Sequence, residues 1–189
     1  HVMEQMTKPK VTALDSMNFW ITSTRETLTQ AISMVDIVFL NETETRLYSG
    51  IDDLCAGARA ILDLGPRAVV IKRGQYGSML LTAAEPELPF FVPAYPTEKV
   101  VDPTGAGDTF AAGFMGYIAQ TGDLSIKSLR QAVVHGTVVA SFTVEDFSID
   151  RLRMLSLAQI DERYNTMRLL THFDPPLEDQ ARIFEQPFL

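Results

Sequence analysis

The 189-residue sequence predicts an α/β fold in which a parallel sheet carries helices on both faces. Three observations predict it. Short, nearly continuous apolar runs recur at residues 11–15 (VTALD), 35–41 (VDIVFLN) and 68–72 (AVVIK), as strands covered on both sides require. Segments of helical periodicity separate these runs, at a spacing suited to strand-helix-strand units. Turn and capping residues also stand where such helices would begin and end.

Taken in order, the first strand stops at Asp15, and the polar stretch after it leads to Ser23 and Glu26, whose S-x-x-E spacing predicts a capped helix start. DSMNFW, residues 15–20, stands at the C-terminal end of a parallel strand, where ligand sites are built, and so is a candidate to face the active cleft. Its Phe19 and Trp20 are nevertheless expected in the core. The second strand ends at Asn41. Residues 53–64 follow as a helix stopped by Gly65 and Pro66, and the third strand ends at Lys72. Residues 78–94 predict an antiparallel hairpin on the sheet edge, SMLLT and PFFVPA around the turn-rich AAEPELP. Two further helices are expected: 126–143, with Leu129, Ala132, Val133, Gly136 and Ala140 on one face, and 157 to about 170, capped by Ser156 and Gln159. One domain over residues 1–189 is expected, with 171–189 as a proline-punctuated tail.

Sixteen Lys and Arg against 24 Asp and Glu give a net charge of −8, with no basic cluster, which disfavours nucleic acid or an anionic membrane as a partner. Any anionic ligand must be held by local devices. The single cysteine, Cys55, excludes an internal disulfide and a cysteine-based zinc site and is expected as a buried thiol. No apolar run reaches the roughly 18 residues of a membrane span, and the first ten residues lack a signal-peptide core, so a cytoplasmic location is expected.

The chemistry concentrates in VVDPTGAGDTFAAGF, residues 100–114. A helix starting at Gly105 or Ala106 presents unpaired N–H groups and the positive end of its dipole, and glycines admit a bulky anion to the backbone. A carboxylate in that same turn, Asp108, would repel the anion unless a substrate hydroxyl lay between them, giving up its proton to the carboxylate while the N–H groups neutralise a transferring phosphoryl. The alternative is that Asp108 only stabilises the helix dipole.

The segment DPTGAGDTFAAGF resembles the C-terminal signature of the ribokinase-like, or PfkB, family of carbohydrate and nucleoside kinases, D-[TP]-T-G-A-G-D-x-F. The resemblance implies that Asp108 is the catalytic base and that the backbone of Gly105, Ala106 and Gly107 forms an anion hole. It further implies that Asp102 and Thr104 help bind a monovalent cation such as K⁺, against the alternative of a plain Asx turn before Pro103. NETE, residues 41–44, is similar to the family's N-x-x-E motif, which orders Mg²⁺ and phosphate; the same Asn41 and Glu44 also have the spacing of a capping box. KRGQYGS, residues 72–78, resembles the nucleotide-side loop T-x-G-x-x-G, which implies that Gly74 and Gly77 allow close approach to the phosphates. Lys72 and Arg73 depart from the family's commoner pair and either meet the phosphates or decorate the sheet edge. The family's adenine pocket implies a place for His135, whose alternative is helix packing.

The implied architecture is the ribokinase-like three-layer αβα sandwich, and the implied reaction is ATP-dependent phosphorylation of a sugar or nucleoside hydroxyl with Mg²⁺. Family members are longer, with a Gly-Gly signature, further strands and a β lid that this sequence does not show, so the chain is expected to correspond to their C-terminal, nucleotide-binding part. A non-catalytic nucleotide-binding or assembly fragment is the alternative. An exposed sheet edge would then invite self-association into a homo-oligomer. The absence of G-x-x-x-x-G-K-[ST], and of G-x-G-x-x-G after the first strand, disfavours the other common phosphate-binding classes.

Overall fold

A computed structural model of the protein describes residues 5–172. Its sheet has the order β1-β2-β3-β4-β5: β1 (Ala13–Asp15), β2 (Ile37–Asn41) and β3 (Ala68–Lys72) are parallel, while β4 (Ser78–Thr82) and β5 (Glu85–Val92) add an antiparallel hairpin. Helices α1 (Asn18–Ser23), α2 (Arg25–Ile32), α3 (Glu42–Ser49) and α4 (Leu54–Leu62) precede the hairpin. After it come α5 (Ala106–Thr121), α6 (Ile126–Thr143), α7 (Asp150–Arg153) and α8 (Leu157–Thr171).

The two-residue period of the strands divides the core in two. Ile37 and Phe39 of β2, Ala68 and Val70 of β3 and Leu80 of β4 pack with α5, α6 and α8. Val38, Leu40, Val69, Ile71, Met79 and Leu81 face the other way, among residues of α1 to α4. Helices therefore cover both faces, which is the expected three-layer α/β arrangement. Phe39 lies edge-on to Phe110 and Phe114, with centroids 6.2 and 5.2 Å away. Two successive turns of α5 are thus seated on one strand residue. Helix α6 closes on α5 through glycines, since a Cβ at Gly136 would lie 2.8 Å from the Phe110 carbonyl oxygen and one at Gly113 3.1 Å from Val139 Cβ.

Parallel register sets the strand ends level. Asn41 pairs with Lys72, and Asp15 pairs with Phe39 two residues short of Asn41. Residues leaving the sheet at this end therefore meet, as ligand sites in open α/β sheets require.

Several local expectations are corrected. Ser23 and Glu26 form no capping box: Ser23 is the last residue of α1, its hydroxyl bonds back to the Phe19 carbonyl, and α2 starts after Thr24 without a side-chain cap. Phe19 and Trp20 are not core residues but are 55% and 47% exposed, packed edge-to-face on each other. The hairpin turn is shorter than expected because β5 already begins at Glu85; its Pro86 is tolerated on an edge strand that needs few N–H donors. Cys55 is half-buried, its thiol 3.7 Å from the Met79 sulfur. Residues 173–189 of the expected tail lie outside the described residues.

Gly136 and Gly116 predict opposite outcomes on neighbouring helices. Helix propensity favours alanine at either by about 1 kcal/mol, but at Gly136 the new methyl would strike a backbone carbonyl, whereas at Gly116 nothing lies within 4 Å. Gly136→Ala is expected to lower the urea midpoint at unchanged m-value, for a net loss of up to ~2 kcal/mol of stability once the propensity gain is set against overpacking, and Gly116→Ala to leave the midpoint unchanged or raise it.

Candidate active site

The site is built at the C-terminal ends of β1, β2 and β3 and at the start of α5. Gly105 takes the left-handed conformation, φ +79°, as the N-cap of α5. Glycine adopts it without the steric cost a side chain would bring. The Ala106 N–H is turned back to the Pro103 carbonyl at 3.2 Å, and the Thr109 N–H donates to Gly105. Gly107 and Asp108 then supply first-turn N–H groups, which have no intrahelical acceptor. The Asp108 side chain is exposed and borders an open groove of about 520 Å³ whose other walls include Ala112, Val139, Leu155 and Ile160.

Before the helix, Asp102 Oδ1 accepts the Thr104 N–H at 2.9 Å, an Asx turn. That bond, with further bonds from the Thr104 side chain and the Ser148 backbone, holds the Asp102 carboxyl below its ordinary range. The Val101 N–H donates to the Val144 carbonyl at 2.7 Å, so the loop is moored to the end of α6. The α6 end is itself braced: Arg163 lies over the Phe142 and Tyr95 rings and pairs with Glu145 at 2.6 Å, and Glu145 also meets Arg151.

Asn41 and Glu44 form a reciprocal capping box at the start of α3, with 2.8 Å between Asn41 N and Glu44 Oε2 and between Glu44 N and Asn41 Oδ1. Glu44 is 5% exposed, and burial is the main cause that pushes its carboxyl above the ordinary value. The Asn41 N–H and the Lys72 charge pull it down, and the Asp15 charge adds to the rise.

Lys72 and Arg73 diverge. Lys72 pairs with Asp15 at 2.5 Å, and its Nζ would lie 3.3 Å from a Cβ placed on Gly107. Arg73 turns away to Glu42 Oε1 at 2.7 Å and lies over the Phe91 ring; this pairing is the main cause that holds the Glu42 carboxyl low. Gly74 (φ +57°) opens the short 3₁₀ turn Gly74–Tyr76 and has open space where a Cβ would stand. The glycine at 77 is required by the sheet itself, because a Cβ there would lie 2.0 Å from the Val92 carbonyl oxygen.

His135 stands apart from these groups, stacked between the rings of Tyr117 and Tyr164 with both centroids at 4.6 Å. Tyr117 lies nine residues along α5 from Asp108, roughly 13 Å at the helical rise. The structure thus brings Lys72, Gly107 and Asp108 together, with Asn41 and Glu44 beside them, and seats His135 in helix packing. Sequence reasoning missed the Asp15–Lys72 and Glu42–Arg73 pairings and the Arg163–Glu145 brace, since each joins residues far apart in the chain.

A model of the pfkB family of carbohydrate kinases matches residues 2–151. The chain belongs to the pfkB carbohydrate kinase family. A relative, cytidine kinase of Thermococcus kodakarensis, is 42% identical over 91 residues, which are 48% of this chain and 32% of that protein. Among solved structures, the nucleoside kinase of Methanocaldococcus jannaschii, a ribokinase-family member, superposes with a TM-score of 0.69 at 22% identity, covering 87% of this chain and 51% of that one. Aminoimidazole riboside kinase from Salmonella enterica, solved with aminoimidazole riboside and an ATP analogue, gives a TM-score of 0.66 at 21% identity over 80% of this chain and 51% of that one. This pfkB chain spans about half the length of these structures and less of the cytidine kinase. No helix among its described residues is long and apolar enough to cross a membrane.

The burial of His135 in its stack is expected to make the fold of this pfkB chain sensitive to acid. Burial, only partly offset by the Asp161 charge, lowers the His135 pKa below its ordinary value. The unfolded chain therefore binds the proton first as pH falls. Stability from His135 is complete above the unfolded value near 6.5 and is lost as pH drops through the window beneath it. His135→Phe, which keeps a ring in the stack, is expected to flatten the fall in thermal midpoint between pH 7 and pH 5.

Proposed function

We propose that this chain supplies the nucleotide site and the catalytic base of an ATP-dependent phosphotransferase acting on a hydroxyl of a sugar or nucleoside. One observation carries the proposal: Asp108 stands in the first turn of α5, directly after the Gly105 to Gly107 turn, with the Lys72 ammonium against that turn. A transferring phosphoryl group seated on the Gly107 and Asp108 N–H groups would lie between a helix N-terminus that draws its charge and a carboxylate able to accept the acceptor's proton. Ala106, whose N–H is engaged with Pro103, shapes the turn.

The donor set suits a hydrated Mg²⁺ that takes most ligands from water and nucleotide phosphate. Among the described residues no group of three or more His, Cys, Asp or Glu forms a protein cage, and Asn41 and Glu44, already bonded to each other, would reach the ion through water. When bound, the ion neutralises charge on the phosphates. Asp102 and Thr104, moored beside the Val144 carbonyl, are where we place a monovalent cation such as K⁺. The complex of the riboside kinase with an ATP analogue and a riboside, and the family assignment, support this function without extending it to a particular acceptor.

Asp108→Asn provides the test. The general base is worth about 10²–10⁴-fold, so phosphate transfer from Mg-ATP to a panel of ribosides and hexoses is expected to fall by at least a hundredfold. Mg-ADP affinity, measured by calorimetry, should hold or tighten because a carboxylate near the phosphates is removed. Loss of transfer and binding together would assign Asp108 to structure and sink the proposed role.

A further inference from the structure

The innermost cation of the site is not solitary. Lys72 leaves the end of β3 and Asp15 the end of β1, two strands apart and 57 residues apart in sequence, yet their charged atoms are 2.5 Å from each other. Both side chains are largely shielded, 17% and 27% exposed. A third constraint comes from the opposite layer, where Lys72 Nζ rests against Gly107, 3.3 Å from the place a Cβ would take. An ammonium has three donors. One is held by Asp15, and the group as a whole is seated at the turn whose N–H groups face the proposed phosphate.

We propose that Asp15 is a positioning residue for the nucleotide phosphates: it acts through Lys72, holding the ammonium at the first turn of α5 so that the phosphates meet it already in place. This inference rests on the function proposed above and assigns Asp15 a part in it. A free lysine samples many rotamers and loses that freedom on binding; a tethered one has lost it on folding. Asp15 also completes the electrostatic surroundings of Glu44, whose carboxyl feels both members of the pair. Gly107 matters here for room as well as for backbone approach, because any side chain at 107 would press on the ammonium.

The test is a double-mutant cycle on the 189-residue chain, comparing the parent, Asp15→Asn, Lys72→Met and the double variant. Affinities for Mg-ATP, for inorganic tripolyphosphate and for adenosine are read by calorimetry, and the urea midpoint confirms that each variant is folded. Asp15→Asn is expected to weaken Mg-ATP and tripolyphosphate about tenfold where Lys72 is present, to have no effect where it is methionine, and to leave adenosine unchanged. Asp15→Glu, which keeps the charge, should recover part of the loss. Equal effects in both backgrounds, an unchanged affinity, or tighter phosphate binding in Asp15→Asn would overturn the assignment, the last by showing that Asp15 competes with phosphate. The two proposals fail separately. Binding of Mg-ATP that ignores Asp15 and Lys72 removes this one and leaves the kinase function standing. Tripolyphosphate binding that follows the cycle, with no preference for a nucleotide, removes the nucleotide function and keeps the Asp15–Lys72 pair; no binding of either anion removes both.

Discussion

The contact on which the rest of the site depends is the seating of α5 on Phe39. The ring is buried, and it meets Phe110 and Phe114, one helical turn apart, on the same face of α5. Two contacts four residues apart fix the rotation of the helix as well as its slide along the strand. Phe39 is paired laterally with Asp15 on one side and Val70 on the other, so one residue ties α5, through its ring, to β1 and β3, through its backbone. Without that seat, Lys72 and Gly107 would have no reason to be neighbours. The far flank of Phe110 is closed by the bare backbone of Gly136, which lets α6 lie close and moors the loop before α5 through Val144.

The strands were legible because burial on both faces demands unbroken apolar runs, and Ile37–Asn41 and Ala68–Lys72 meet that demand. Helices α6 and α8 were legible from period and caps. The three capping-box spacings show where local pattern stops informing. Asn41 with Glu44 and Ser156 with Gln159 close reciprocally, whereas Ser23 with Glu26 does not, because the chain has already turned helical at Asn18 and Ser23 completes that turn. Spacing describes the residues ahead of a cap and is blind to the conformation behind it. Phe19 and Trp20 failed for a related reason: aromatic character predicts burial only where a layer exists to cover it.

Of the candidate site, the part contiguous in sequence was readable. Residues 102–108 carry their own turn, cap and helix start. The remainder depends on register. Lys72 and Arg73 are indistinguishable as adjacent cations on paper, but at a strand end neighbours point to opposite sides, and one finds Asp15 and Gly107 while the other finds Glu42 and Phe91. Gly77 shows the converse, a residue of a motif-like loop whose glycine the hairpin it joins already requires.

Charge balance explains why such a site needs more than a helix terminus. Asp15 and Glu44 lie beside the Lys72 ammonium, and Asp108 follows the glycine that the ammonium rests against, in a chain whose net charge is already −8, so a polyphosphate approaching alone would meet repulsion. Burial pushes the Glu44 carboxyl above its ordinary value, and Asp15 is paired with Lys72, which leaves Asp108 as the exposed carboxylate of the turn. The helix dipole, equivalent to about half a positive charge, does not outweigh it. Under the proposed function, an anion delivered together with a divalent cation would restore the balance, and the exposed carboxylate that would otherwise repel the phosphate would then be set against a neutralised group, free to take a proton from a hydroxyl placed between them.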